Sequence, residues 1–320
     1  MSFLSDKAPR LEEQNAGAPM PDRCRLFHVD AFTRTRFCGN PARVILNADH
    51  LTDEQMQTIA TELNGETAFV LAAEANDHDL QIRFFTPRHE VPFVGHVTVA
   101  THYVLAKRGL RGDGIVRQRS NAGIAEVAAK EVDGDYRITL TISPPSLGPA
   151  LPDHHRRQVL DALGLSSPSL REACPLQILT KGGSRLLIGL RSADQLESLR
   201  PDMEELARLT PHIGAEGYFV FALDDARPDQ LTTVSRMFCP AIGIPEDPVS
   251  GNAHGMLGTY LVAHNIAAHS KDTLQFRGYQ GTSVKRPGMV DVEVSRTGAV
   301  AQSVRISGDA VILYEAELPL

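Results

Sequence analysis

Cysteine is scarce in this sequence. The four residues (Cys24, Cys38, Cys174 and Cys239) lie far apart in a chain of 320, with no C-x-x-C pair. This excludes a disulfide-stapled secreted scaffold, offers no zinc-ligand spacing, and fits a reducing, cytoplasmic compartment. Long apolar runs are missing as well, none approaching the roughly 18–20 residues a membrane-crossing helix needs. Residues 1–24, MSFLSDKAPRLEEQNAGAPMPDRC, lack the apolar core of a signal peptide and are expected to form a flexible N-terminal tail. Excess positive charge is also absent. The formal charge is −7, the pI is near 5.9, and Lys and Arg are scattered. Nucleic acid is therefore excluded as a partner, and the short cluster Arg117 and Arg119 reads as a solvated strand face.

The motifs of nucleotide, metal and acyl-transfer chemistry do not occur. There is no G-x-x-x-x-G-K-[ST], no G-x-G-x-x-G after a strand, no G-x-S-x-G and no H-E-x-x-H. His89-Glu90 opens like a metal motif, but the next histidine, His96, is at the wrong spacing. Lys181-Gly182-Gly183-Ser184 has no P-loop frame and reads as a plain turn. No cofactor is implied.

What is present is a chain that repeats itself once. RFFTPRHEVPFVGHVTVATHYVLAKRG, from Arg83, is echoed by RMFCPAIGIPEDPVSGNAHGMLGTYLVAHN, from Arg236. Both open R-x-F-x-P, pass through a proline-bearing loop to a glycine (Gly95, Gly251) and enter an apolar run; the second loop carries a three-residue insertion. Upstream, GETAFVLAA around Glu66 is echoed by AEGYFVFAL around Glu216 at nearly the same offset. Two echoes in the same order indicate duplication, and two copies are too few for a solenoid, so two similar domains are expected. The composition, 42% hydrophobic and 22% charged, supports two globular cores at this length.

Local patterns fill in the first copy. Cys24 to Phe32 and Ala42 to Leu46 read as strands around the turn Gly39-Asn40-Pro41. Thr52 and Gln55 form a capping-box pattern, Met56, Ile59, Ala60 and Leu63 recur at helical spacing, and Gly65 is placed to stop the helix. Thr67 to Ala72 and Gln81 to Phe85 read as strands. Val97 to Lys107 is apolar nearly all round, the pattern of a helix inside a domain, and His254 to Val262 plays the same part in the second copy. Its Gly255 and Gly258 lower helix propensity, which close packing would offset. A linker is expected near Ser143-Pro144-Pro145, then a helix over Arg156 to Leu165, strands over Leu186 to Leu190, Phe219 to Leu223 and Val290 to Val294, and a final strand over Gly308 to Leu313.

Two places suit acid–base chemistry. Glu66 sits between a helix end and an apolar strand, where burial would raise its pKa into a useful range; a solvated or salt-bridged turn carboxylate has the same pattern. Glu246-Asp247-Pro248-Val249-Ser250-Gly251-Asn252-Ala253-His254 leads carboxylates and a small-residue turn into a helix, as an anion-binding helix N-terminus does. Gly95-His96-Val97-Thr98 is the first-copy equivalent. Plain helix capping and a core histidine would look alike. Two such N-termini, one from each half of a duplicated chain, suggest an interdomain cleft for a small anionic metabolite.

These residues also carry a resemblance. Val29-Asp30-Ala31-Phe32, Gly39-Asn40-Pro41-Ala42, Asn64-Gly65-Glu66-Thr67-Ala68-Phe69, Arg83-Phe84-Phe85-Thr86-Pro87, Glu90-Val91-Pro92, Gly95-His96, Glu246-Asp247-Pro248-Val249-Ser250-Gly251 and Arg286-Pro287-Gly288 resemble, in order, the blocks of the PhzF-like phenazine biosynthesis family. The resemblance implies an α+β, diaminopimelate-epimerase-like fold: two pseudo-symmetric domains, each a curled, mostly antiparallel sheet around a central helix. Domains are expected over 25–145 and 146–302, with a C-terminal strand, 303–320, returning to the first. It further implies a cofactor-independent isomerase, a cytoplasmic homodimer, with Glu66, His96 and Asp247 catalytic and Gly95, Ser250, Gly251 and Asn252 binding substrate. Relatives of this fold that racemise amino acids use two facing cysteines, where this chain has Val94 and Ser250; Cys38 and Cys239 read as packed thiols. PhzF-like enzymes commonly place Ser where Asn252 stands, which bears on an anthranilate-type substrate. Two rival readings are an epimerase using Glu66 with Asp247, and a metabolite-binding protein without turnover.

Overall fold

In a computed structural model of the chain, which describes residues 23–224, 230–266 and 272–319, the capping box at Thr52 is complete. The Thr52 side chain accepts from the Gln55 N–H and the Gln55 side chain from the Thr52 N–H, which starts α1 (Asp53–Glu62). The stop differs from expectation. Asn64, not Gly65, takes the left-handed conformation, φ 46°, which Asn tolerates because its short polar side chain bonds locally.

The expected tail lies outside the described residues as far as position 22. Arg23 and Cys24, assigned to it above, belong to β1 (Arg23–Ala31). β2 (Asn40–Leu46) and β3 (Thr67–Leu71) run parallel, joined by α1, as parallel neighbours require a crossover. β4 (Leu80–Phe85) lies antiparallel to β3, and the short β5 (Glu90–Val91) antiparallel to β4. α2 (Gly95–Lys107) then carries the chain to β6 (Gly114–Ser120), parallel to β4, and β7 (Gly123–Val132), antiparallel to β6. Arg117 and Arg119 stand on the exposed face of β6. α2 is buried from His96 to Ala106, so the all-round apolar pattern does mark a central helix.

After β8 (Asp135–Ile142) come β9 (Ser146–Ala150), α3 (Asp153–Ala162), β10 (Gln177–Thr180) and β11 (Ser184–Leu190). α4 (Ala193–Ser198) and α5 (Met203–Ile213) form the crossover to β12 (Gly217–Asp224), parallel to β11. β13 (Thr232–Cys239) and β14 (Ile244–Asp247) follow antiparallel, then α6 (Gly251–Ala263) and β15 (Thr273–Gln280), parallel to β13. β16 (Gly288–Thr297) and β17 (Val300–Gly308) continue antiparallel. β18 (Ala310–Pro319) closes the chain, pairing with β1 and packing on α2. Gly308, expected to open the last strand, ends the one before it.

The pairing of β2, β3, β4 and β6 around α2 is thus repeated by β11, β12, β13 and β15 around α6. The repeated R-x-F-x-P has the same physical role in each copy. Arg83 makes a two-pronged pair with Glu90, both contacts 2.8 Å, and covers the Phe85 ring; Arg236 does so with Glu246, at 3.0 and 2.8 Å, over Phe238. Such forked pairs fix geometry as well as charge. The second loop, which carries the three-residue insertion, opens on a 3-10 turn, Pro240–Ile242, that starts at the proline of its R-x-F-x-P. In α6, a Cβ on Gly258 would meet Val294 at 2.7 Å, so the helix lies too close to β16 for a larger residue.

The chain divides into two compact units, one holding the described residues through Val29, then Pro41–Ile138 and the strand from Asp309, the other Asp30–Asn40 and Thr139–Gly308. The crossings at 138/139 and 308/309 fall beside or within strands, not at the expected 145/146 and 302/303. Pro144 and Pro145 only separate β8 from β9. Residues 30–40 group with the second unit because buried Asp30 accepts from Arg286, Arg286 also bonds the Gly39 and Cys38 carbonyls, and the Phe32 carbonyl accepts the Met289 N–H at 2.8 Å.

Candidate active site

In the first unit the strand ladder fixes the Glu66 backbone: its carbonyl accepts the Arg43 N–H at 3.1 Å, where β2 passes parallel to β3. The side chain meets the first turn of α2. His96 Nε2 lies 3.1 Å from Glu66 Oε2, with the His96 ring buried and 32% of the Glu66 side chain exposed, enough for a ligand to reach the carboxylate. Sequence reasoning paired burial with a raised pKa. Burial does push Glu66 up, but His96 and then Arg43 outweigh it and hold the carboxyl below the usual glutamate range. Glu66 is therefore held in its ionised form.

Gly95 opens α2 from an N-cap, Val94, that offers no side-chain hydrogen bond. A Cβ on Gly95 would meet nothing closer than Phe93, at 4.0 Å. The protein's own packing thus does not require glycine there.

The second unit arranges its residues differently. Asp247 ends β14, and its Oδ1 accepts from Asn40 Nδ2 at 2.8 Å. The same Asn40 amide donates to the Val249 carbonyl at 2.8 Å. Gln280 donates to the Asp247 carbonyl at 2.7 Å and accepts from the Ser250 N–H at 3.1 Å, clamping the turn that carries the aspartate. Asn40 and Gln280 were not singled out as site residues above. The Gly39-Asn40-Pro41 block pointed to the first; no local pattern points to the second.

Ser250 caps α6 by accepting the Ala253 N–H, at 3.2 Å. Gly251 is glycine for packing: a Cβ there would strike the Phe32 ring at 2.7 Å. Asn252, expected to donate to substrate, donates to the Lys181 carbonyl at 2.9 Å. Glu246 is taken up by Arg236. Burial pushes the Cys239 thiol up to about 12, so it is no nucleophile at neutral pH.

Residues 29–316 match the family model described as phenazine biosynthesis-like protein. The chain belongs to this PhzF-like isomerase family. An "uncharacterized isomerase YddE" from Escherichia coli K12 is 42% identical over 92% of this chain and 97% of its own. A trans-2,3-dihydro-3-hydroxyanthranilate isomerase from Pseudomonas aeruginosa is 30% identical over 91% of this chain and 98% of its own. Among solved structures, a Bacillus anthracis phenazine biosynthesis protein of the PhzF family superposes with a TM-score of 0.82 at 27% identity, covering 93% of this chain and 99% of that one. The PhzF-like chain is thus an enzyme of the isomerase class with the expected α+β, epimerase-like fold. Among its described residues, no helix is long and apolar enough to cross a membrane.

Proposed function

We propose that this chain is a cofactor-independent isomerase that moves a proton between carbons of a small carboxylate substrate, with Glu66 as the proton carrier. The observation that supports this best is the contact between a partly exposed, ionised Glu66 and the buried His96. A carboxylate held ionised at rest is ready to accept a proton from carbon beside an electron-withdrawing group. Once protonated against its surroundings, with 32% of its side chain open to proton exchange with water, it is driven to give up a proton at another carbon of the same substrate.

His96 orients the carboxylate and polarises the substrate, and the backbone at Gly95 holds the developing charge. Asp247, held by Asn40, engages a polar group of the substrate, and the N–H groups of Gly251 and Asn252 donate to its anionic part. The substrate is a small anionic metabolite, and the enzyme is a cytoplasmic homodimer, which light scattering tests.

The reaction is tested by incubating the enzyme in D2O with trans-2,3-dihydro-3-hydroxyanthranilate and a panel of cyclic and amino-acid carboxylates. NMR locates the label. Deuterium at a new carbon with a moved double bond is the expected result. Deuterium confined to one stereocentre would replace the isomerase by an epimerase.

A further inference from the structure

We propose that Arg43 is a positioning residue for Glu66: its guanidinium, lodged in the space left by Gly65, holds the carboxylate in place and ionised. This rests on Glu66 being the proton carrier. A Cβ built on Gly65 would lie 2.0 Å from Arg43 Nη1, 2.3 Å from Cζ and 2.9 Å from Nη2. The guanidinium thus covers Gly65, one residue before the carboxylate, and any side chain there would displace it. That explains a glycine at a position where Asn64, not Gly65, takes the left-handed turn. Arg43 is also tied to Glu66 through the backbone, by the 3.1 Å N–H to carbonyl bond.

The second copy of the repeat supports the pairing. Arg185 stands opposite Gly217 in the β11–β12 register as Arg43 stands opposite Thr67 in β2–β3. Its Nη1 lies 3.4 Å from the carboxylate of Glu216, the counterpart of Glu66. The parallel crossing therefore delivers an arginine to this glutamate in both copies. They differ in what else meets the carboxylate. Glu216 also accepts the Ser184 N–H at 3.1 Å, tying it to a turn, whereas Glu66 meets His96. Among the described residues, the charges acting on Glu66 are His96 of α2 and Arg43 of β2. Each opposite charge favours the ionised form.

The test is the titration of the Glu66 carboxyl carbon by NMR in 13C-labelled protein, assigned by its absence in Glu66→Gln and needing no ligand. Arg43→Gln is expected to move the midpoint up by about one pH unit, and Arg43→Lys by less. Gly65→Ala, whose methyl pushes out only the flexible end of Arg43, is expected to move it in the same direction and guards against misfolding of the first variant. An unchanged midpoint in both Arg43→Gln and Gly65→Ala would overturn the proposal. Deuterium exchange retained by Glu66→Gln would instead overturn the role of Glu66 itself, so the two failures are distinguishable.

Discussion

Glu66 Oε2 lies 3.1 Å from His96 Nε2, bringing together a residue at the end of a helix-to-strand connection and one in the first turn of a buried helix. Neither is near the other in sequence, and the contact exists because β3 and α2 pack in one unit. With Glu66 held below the usual glutamate range, its carboxylate is ionised at neutral pH and protonated only as pH falls through that lowered value. The acid limb of the exchange rate is therefore expected below the ordinary glutamate pKa of about 4.3. A limb near pH 6 in a pH–rate profile would contradict this.

Gly95→Ala separates packing from function. Space for the methyl is open, and Ala is the better helix former by up to about 1 kcal/mol. The variant is expected to melt no lower than wild type yet lose at least about tenfold in exchange rate, the effect of about 1.4 kcal/mol at the transition state. Calorimetry and the exchange assay together check it.

Gly251→Ala should do the reverse in its first effect. Its methyl would meet Phe32 at 2.7 Å and Ile306 at 3.2 Å, an overpacking expected to cost about 1–3 kcal/mol. Denaturant unfolding measures this directly, and a cost near zero would show that the Phe32 contact is slack.

Asn40→Ala removes the donor shared by Asp247 and the Val249 carbonyl. The expected loss is about 1–3 kcal/mol of stability, together with slower exchange because Asp247 is no longer held. Asn40→Asp, which sets a carboxyl group against the Asp247 oxygen, is expected to be worse on both counts. Equal stability of wild type and Asn40→Ala in urea would contradict the structural part.

Much of this was legible in the sequence because it is local. The capping box at Thr52, the apolar helices Gly95–Lys107 and Gly251–Ala263, and the repeated R-x-F-x-P need only neighbours a few residues apart. What was not legible depends on partners distant in the chain. Burial of Glu66 could be anticipated, but not that His96 and Arg43 would overturn its effect on the proton. Gly251 looked like a ligand contact until Phe32, more than two hundred residues earlier, was found against it. Asn252 had the chemistry of a donor, and only the fold brings the Lys181 carbonyl to it. The proline pair at 144–145 looked like a linker, yet the units part inside a strand, which no composition signal marks.

Two core histidines are expected to weaken stability in acid. Burial above all pushes His102 and His254 down to about 4, against the modest upward pull of Gln118 and the Ser250 carbonyl respectively. In the unfolded chain each would protonate near pH 6.5. The unfolded state thus binds more protons between pH 6.5 and 4, and stability falls as pH falls through that window. Each contributes about 3 kcal/mol that is present above pH 6.5 and gone below 4. Urea unfolding from pH 7 to 4 should show the decline, with a shallower slope in His102→Asn.

The most direct measurement compares wild type with Glu66→Gln for deuterium uptake from D2O into carbon of whichever panel compound the wild type labels, both proteins checked by circular dichroism. Uptake in wild type, with a loss of at least about a thousandfold in the folded variant (about 4 kcal/mol of barrier), is the expected result. Comparable uptake in a folded Glu66→Gln would contradict Glu66 as the proton carrier.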